Sequence, residues 1–306
     1  MSMPLEKGVP LPDLVPTNPH GQKISAKQIE ESFRYCLFLA RNHYENFPVA
    51  SLIVPKNLRP YIAAVYAFAR IADDFADEKS YEGLRLDLLK AWENELKNIF
   101  VVPPTHPVFI ALRETISRFK IPISLFYDLL TAFKMDVMVK RYQDFEQILN
   151  YCRYSANPVG RIVLYIMGYP APTFLEYSDY ICTALQLANF WQDVAIDLEK
   201  DRIYLPLEDM QRFGLYEENI TSKHYSAQFK KLLTFEVHRT LELFERGKPL
   251  IHKIPGRFGL ELRLTWHGGT TILRKILSGH CNVFEHRPRL GLLDVPLLLL
   301  KSIRKK

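Results

Sequence analysis

Cysteine is scarce. Four residues, Cys36, Cys152, Cys182 and Cys281, occur among 306. None forms a C-x-x-C pair, and the spacings match no zinc module. So few thiols in so long a chain exclude a disulfide scaffold, and a reducing cytosol is the expected compartment. Charge of one sign is not concentrated either: the formal net charge is +6, with Lys and Arg scattered along the chain. Without a basic stripe interleaved with aromatics, nucleic acid is not an expected partner. A mild positive balance suits anionic small molecules or an anionic membrane surface. No run reaches the ~18 apolar residues of a membrane span. The first 20 residues carry Pro4, Pro10, Pro12, Pro16 and Pro19 without an apolar segment, so no secretory signal is expected. H-E-x-x-H, G-x-S-x-G, G-x-x-x-x-G-K-[ST] and G-x-G-x-x-G are all missing, which removes support for zincin, serine-hydrolase, P-loop and dinucleotide chemistry. A di-iron bundle would need Glu-x-x-His on two helices, and no such tetrad is present.

What is present is helical patterning in a chain that is 48% hydrophobic, enough for a sizeable core. Ser25 with Gln28 predicts a capping box opening a helix to about Tyr44. Helices are predicted over 60–77, 81–100, 107–119, 123–140, 148–167, 173–199, 222–246 and 259–277, with Asp144 and Gln147 capping one start and prolines at most boundaries. No strand run with period-two alternation appears. The expected organisation is an extended or disordered lead (1–24), one all-α domain of roughly ten helices (25–285), and a basic amphipathic tail (286–306). In that tail Leu297 to Leu300 precede Lys301, Arg304, Lys305 and Lys306. It can rest on the inner face of a membrane or dock on the core as a terminal helix, and the second is the plainer reading.

Two segments stand apart. Residues 60–69 contain no charge and are followed by Arg70, Asp73, Asp74 and Asp77; Tyr66, Arg70, Asp73 and Asp77 share one helical face. Residues 180–192 are likewise uncharged, and Gln186, Asn189, Asp193 and Asp197 share one face. A helix apolar nearly all round is normally buried. Carboxylates one turn apart there repel each other, lose hydration, and take up protons unless cations sit between them. A single Asp pair at i,i+4 is usually a solvated face. Two pairs, each closing an uncharged run, point to Mg²⁺ ions that share ligands with a substrate diphosphate and draw charge off it as it leaves.

These residues resemble the squalene/phytoene synthase family from about Ser32 to Cys281. Tyr66 to Asp77 looks like its first aspartate-rich motif. Leu185 to Asp197, followed by Arg202-Ile-Tyr-Leu-Pro206, looks like the second, and Tyr151-Cys-Arg-Tyr-Ser-Ala-Asn-Pro-Val-Gly160 resembles a third family stretch. The resemblance implies the helical isoprenoid synthase fold, a central apolar cavity and an isoprenoid diphosphate substrate. It implies that Asp73, Asp77, Asp193 and Asp197 bind Mg²⁺ with Asn189 assisting. Tyr66, Arg70, Gln186 and His43 would contact the diphosphate or order its surroundings, with Arg202 and Tyr204 near the same mouth and Asp74 behind it.

Two departures narrow the implied reaction. Gln192 stands where many relatives have Arg, and Asn157-Pro158 stands where many have Gly; Arg161 adds a positive charge one turn on. These resemble the hydroxysqualene synthase branch of hopanoid synthesis. That branch implies ionisation of presqualene diphosphate, rearrangement and water capture, with neighbouring hopanoid-pathway enzymes as partners. Phe68, Tyr154, Phe190 and Trp191 are candidates to face the carbocation, although plain core is the commoner role for each, and Asn157 is a candidate to position the water. Head-to-head condensation of two farnesyl or geranylgeranyl diphosphates remains open, as does a non-catalytic lipid-binding or assembly protein.

Overall fold

Ser25 and Gln28 exchange hydrogen bonds at the start of the computed structural model, which describes residues 24–42 and 54–303. The Ser25 Oγ accepts from the Gln28 N–H at 3.2 Å, and Gln28 Oε1 accepts from the Ser25 N–H at 2.8 Å. This reciprocal cap satisfies two orphan donors and opens α1 (Ala26–Asn42). Then follow α2 (Arg59–Asp77), α3 (Arg85–Asn98), α4 (Pro107–Phe119), α5 (Ser124–Met138), α6 (Phe145–Ser155), α7 (Asn157–Met167) and α8 (Pro172–Asp197). The chain continues through α9 (Leu207–Arg212), α10 (Glu217–Thr221), α11 (Ala227–Gly247), α12 (Pro249–Lys253), α13 (Gly256–Ser278) and α14 (Asp294–Ile303). Pro60, Pro107 and Pro172 each fall in a first helical turn, where a missing N–H does no harm. Asp144 caps α6 by accepting from the Gln147 N–H at 2.8 Å.

The expected all-α architecture is found, with two corrections. The stretch 148–167 is broken at Ala156 into α6 and α7, because Pro158 has no N–H with which to continue the first ladder. Fourteen α-helices occur among the described residues rather than about ten. The additional α9, α10 and α12 are five or six residues long, too short to show a 3.6-residue period in sequence.

Two cores stand side by side. One joins α1 to α5, with Phe68 wedged among Trp92, Phe109 and Phe126. The other joins α6, α8 and α11 to α13 around Trp191, Phe229 and Phe244. α7 lies between them, giving Ile162 and Ile166 to the first core and Leu164 to the second. Against α8 it packs so closely that a Cβ at Gly160 would overlap Cys182 Sγ and Ser178 Oγ.

One more feature places the site. The segment leaving α5 runs beside the segment leaving α8, joined by a single parallel bridge between Arg141 and Ile203. Ile203 N–H donates to the Lys140 carbonyl at 3.0 Å, and Leu207 N–H to Tyr142 at 3.0 Å. That pairing fixes where Arg202 and Tyr204 point.

Candidate active site

The Ala-rich, fully packed face of α2 and the apolar faces of α8 hold both helices rigidly. Their polar stripes are left to meet at the mouth of a cavity of about 770 Å³. Asp73 from α2 lines it, as do Gln186, Asn189, Asp193 and Asp197 from α8. Below that head the wall turns apolar, through Val163, Met167, Ile181, Leu250, Phe258 and Leu262.

Cations from elsewhere in the chain meet the carboxylates. Arg202 donates through Nη2 to Asp77 Oδ1 at 2.6 Å, and Lys200 Nζ to Asp77 Oδ2 at 2.7 Å. Burial would push the Asp77 carboxyl up, but these two partners outweigh it and hold it below its ordinary value. Arg70 pairs with Asp74 at 2.6 Å and with Asp73 at 3.5 Å. Arg287, from the segment before α14, grips Asp193 through Nε and through Nη2, the latter at 2.9 Å. Asn189 Nδ2 also donates to Asp193, at 2.8 Å, leaving its own carbonyl oxygen available.

The other carboxylates are short of positive charge. Asp73 is pushed up to about 6, first by burial and then by the Asp77 charge, with Arg70 opposing. Its side chain keeps 45% exposure in the open cleft, so water moderates the effect. Asp197 rises to about 7 by burial and the Asp193 charge. Asp136 on α5 rises to about 7, mainly by burial; it accepts from the Tyr151 hydroxyl at 2.8 Å, and its backbone carbonyl accepts from Arg202 at 3.1 Å.

This head of the cavity presents oxygen donors and an excess of poorly neutralised carboxylate, a chemistry that fits a hard dication. Among the described residues, no three His, Cys, Asp or Glu side chains converge closely enough to hold a metal ion by themselves. Each Asp pair can therefore supply only part of a coordination shell, and Mg²⁺ habitually completes its shell with water and phosphate oxygens.

Not every residue expected at the site is brought to it. Tyr66 is buried on the α2 stripe, its phenol pushed up by burial with Arg70 opposing. Arg161 donates to Asp179 instead, Nε to Oδ1 at 2.8 Å. Asp179 lies fourteen residues before Asp193 on α8, about 21 Å along the axis. Asn157 accepts from Thr183 Oγ1 at 2.9 Å and does not line the cavity. Tyr204 stacks on Phe190 with centroids 3.7 Å apart, behind the aspartates. His43 lies outside the described residues. Phe68, Tyr154, Phe190 and Trp191 do not line the cavity; Phe68 and Trp191 are core, and Trp191 Nε1 donates to Thr240 at 2.8 Å. Phe258 is the aromatic residue on the described wall.

Sequence reasoning missed Lys200, Asp136 and Arg287. Lys200 lies between the second Asp pair and Arg202, so proximity in sequence could have flagged it. Asp136 and Arg287 carry no local signal. Gln192, singled out as a departure, donates to the Pro288 carbonyl. Together with the Asp193–Arg287 pair it clasps the segment before α14 onto α8.

Comparison with known proteins fits this arrangement. The sequence pattern of squalene/phytoene synthases matches residues 40–294. The chain belongs to the squalene/phytoene synthase family. It is an enzyme of that family, and the two aspartate stripes, α7 and the apolar cavity all lie within the matched region. The hydroxysqualene synthase of Rhodopseudomonas palustris is 37% identical over 235 residues, covering 76% of this chain and 79% of that protein. The 15-cis-phytoene synthase of Synechocystis is 29% identical over 273 residues, covering 85% and 80%. The crystal structure of squalene synthase HpnC from Alicyclobacillus acidocaldarius superposes with a TM-score of 0.80 at 39% identity, covering 84% of this chain and 97% of that one.

Proposed function

We propose that this enzyme ionises presqualene diphosphate in a Mg²⁺-dependent reaction, rearranges the cyclopropylcarbinyl cation, and captures it with water to give hydroxysqualene and diphosphate. The observation that carries the reading is the junction of two aspartate-bearing helices with an apolar cavity, a polar head for a diphosphate above a greasy chamber for its hydrocarbon. The 37% identity to a hydroxysqualene synthase supports the choice of substrate.

Asp73, Asp77, Asp193, Asp197 and Asn189 would hold Mg²⁺, which supplies Lewis-acid withdrawal of charge from the departing diphosphate. Arg70, Lys200, Arg202 and Arg287 surround the same carboxylates and would donate hydrogen bonds to phosphate oxygens placed there. The C–O bond breaks with both electrons leaving on diphosphate. The apolar walls keep the cation from bulk water, and Phe258 offers it an aromatic face.

Water capture then needs one polar group on an apolar wall. Ser155 suits this better than Asn157, whose amide oxygen is engaged by Thr183. Ser155 lines the cavity, and its Oγ, buried without a hydrogen-bond partner, would meet a water there after rotation about the Cα–Cβ bond. Water adds through oxygen, and its surplus proton leaves to diphosphate or solvent. Such a role would make neighbouring enzymes of hopanoid synthesis natural partners.

Similarity to the phytoene synthase favours a second reading, condensation of two prenyl diphosphates. Incubation with presqualene, farnesyl and geranylgeranyl diphosphates in turn, each with Mg²⁺, followed by product mass analysis, decides between them. Hydroxysqualene from presqualene diphosphate is expected. Consumption of farnesyl diphosphate with no turnover of presqualene diphosphate would overturn the choice.

A further inference from the structure

α14 leaves most of its apolar surface bare. Leu298 and Ser302, one turn apart, face inward. Arg263 Nε donates to the Ser302 carbonyl at 2.6 Å, and Lys275 Nζ meets Asp294 Oδ2 at 2.6 Å. These two ties run α14 antiparallel to α13. Outside them, Leu292 and Leu293 are each 92% exposed, and Val295, Leu297, Leu299, Leu300 and Ile303 are exposed as well. Scattered surface leucines are ordinary, but a continuous apolar band of this kind marks a binding face.

The charge around this band has one sign. Residues 286–306 contain six basic residues, Arg287, Arg289, Lys301, Arg304, Lys305 and Lys306, and a single acidic one, Asp294; Arg287 is paired with Asp193, which leaves five. Lys275 already neutralises that aspartate. Next to the start of α14 the same Arg289 lines a cleft of about 430 Å³ together with His286. A second copy of the chain would bring the same basic residues face to face, since a two-fold interface pairs each patch with itself. An anionic lipid surface meets both properties at once: leucines at the headgroup–acyl boundary and lysines and arginines among the headgroups.

We propose that α14 and the residues leading into it form the docking face of this chain for an anionic phospholipid bilayer. α13 cradles α14 and also lines the cavity through Phe258, Leu262 and Thr265, so one helix joins the docking face to the cavity. The proposal rests on the reaction assigned above only in that an apolar substrate and product would exchange with that bilayer.

The test is co-sedimentation of the full chain, without substrate, with vesicles of phosphatidylcholine alone or of phosphatidylcholine with a quarter phosphatidylglycerol. Partition onto the anionic vesicles should exceed that onto the neutral ones by about ten-fold or more, and should weaken with salt. Leu293→Glu, Leu297→Glu and Leu300→Glu together should lower it by about ten-fold or more at unchanged circular dichroism. Lys301→Gln with Lys305→Gln, which leaves the helix apolar, should lower it about five-fold per neutralised charge near the surface. Absence of partition onto anionic vesicles, or partition of both variants equal to the parent, overturns the proposal. So does a dimer in light scattering that the glutamate variant loses while no vesicle binding is seen. Because no turnover is read, failure of the reaction assigned above leaves this result intact, and the reverse.

Discussion

Arg202 ties the two aspartate helices together: five residues beyond Asp197, it reaches Asp77 at the end of α2 with Nη2 2.6 Å from Oδ1. It is 8% exposed, and its position is fixed by the bridge between Arg141 and Ile203. Removing it would strand a carboxylate that lies among other carboxylates. Arg202→Ala should lower stability by about 3 kcal/mol, read as a fall in Tm of roughly 5–10 °C. A Tm within a degree or two of the parent would show that Lys200 alone suffices for Asp77.

Acid should loosen Mg²⁺. Metal ligation requires the carboxylate form, and Asp73 and Asp197 are pushed up to about 6 and about 7. Half-saturating Mg²⁺, measured in a turnover assay at constant ionic strength, should climb as pH falls through 7 and then 6, roughly ten-fold per unit for each carboxylate titrating. Stability of the metal-free protein should move the opposite way. A carboxyl whose folded pKa is raised contributes stability that is full below its unfolded value near 4 and is lost as pH rises through 6 to 7. Asp77, held low, contributes in the reverse sense, and its share is lost only as pH falls below its depressed folded value. Melts without Mg²⁺ should therefore show a higher Tm at pH 5 than at pH 8, and saturating Mg²⁺ with inorganic diphosphate should erase the gap.

On the proposed assignment, Arg287 and Mg²⁺ would compete for Asp193. The pair is partly exposed, with 32% and 13% of the two side chains accessible, so its worth is modest. Arg287→Ala should lower half-saturating Mg²⁺ by about two- to five-fold, while KM for the diphosphate substrate rises because a phosphate partner is gone. A rise in half-saturating Mg²⁺ would mean that Arg287 supports the metal site rather than competing with it.

Much of the site was legible because its chemistry contradicts its surroundings. Asp73, Asp77, Asp193 and Asp197 follow helical stretches, 60–69 and 180–192, that carry no charge, and that mismatch needs no tertiary information. The long helices were legible for a similar reason, through caps such as Ser25–Gln28 and Asp144–Gln147. Arg287 was not, since nothing local to residue 287 says that the chain returns 94 positions to Asp193. Asp136 was hidden because one acidic residue on a helix is ordinarily a solvated one. The aromatic candidates failed for another reason: helical spacing gives a face but not which core that face meets, and Phe68 and Trp191 met packed cores while Phe258 met the cavity. Asn157 drew notice through its neighbour Pro158, whose effect is to break α6 from α7.

Ser155 is expected to hold the captured water. Ser155→Ala should fold normally, and the alcohol fraction of the products from presqualene diphosphate should fall about ten-fold, the worth of one hydrogen bond to the water. Asn157→Ala should leave that fraction unchanged and lower Tm slightly through loss of the Thr183 contact. The opposite pattern would return the role to Asn157.

Turnover of presqualene diphosphate by Asp73→Asn and Asp193→Asn, singly and combined, is the most direct test. Each change keeps shape while removing one charge from one helix. Each single variant should lose about a hundred-fold in kcat at saturating Mg²⁺, and the combined variant should show no measurable turnover while its Tm stays near the parent's or rises. Parental turnover by the combined variant would contradict the assignment of the two aspartate pairs to diphosphate departure.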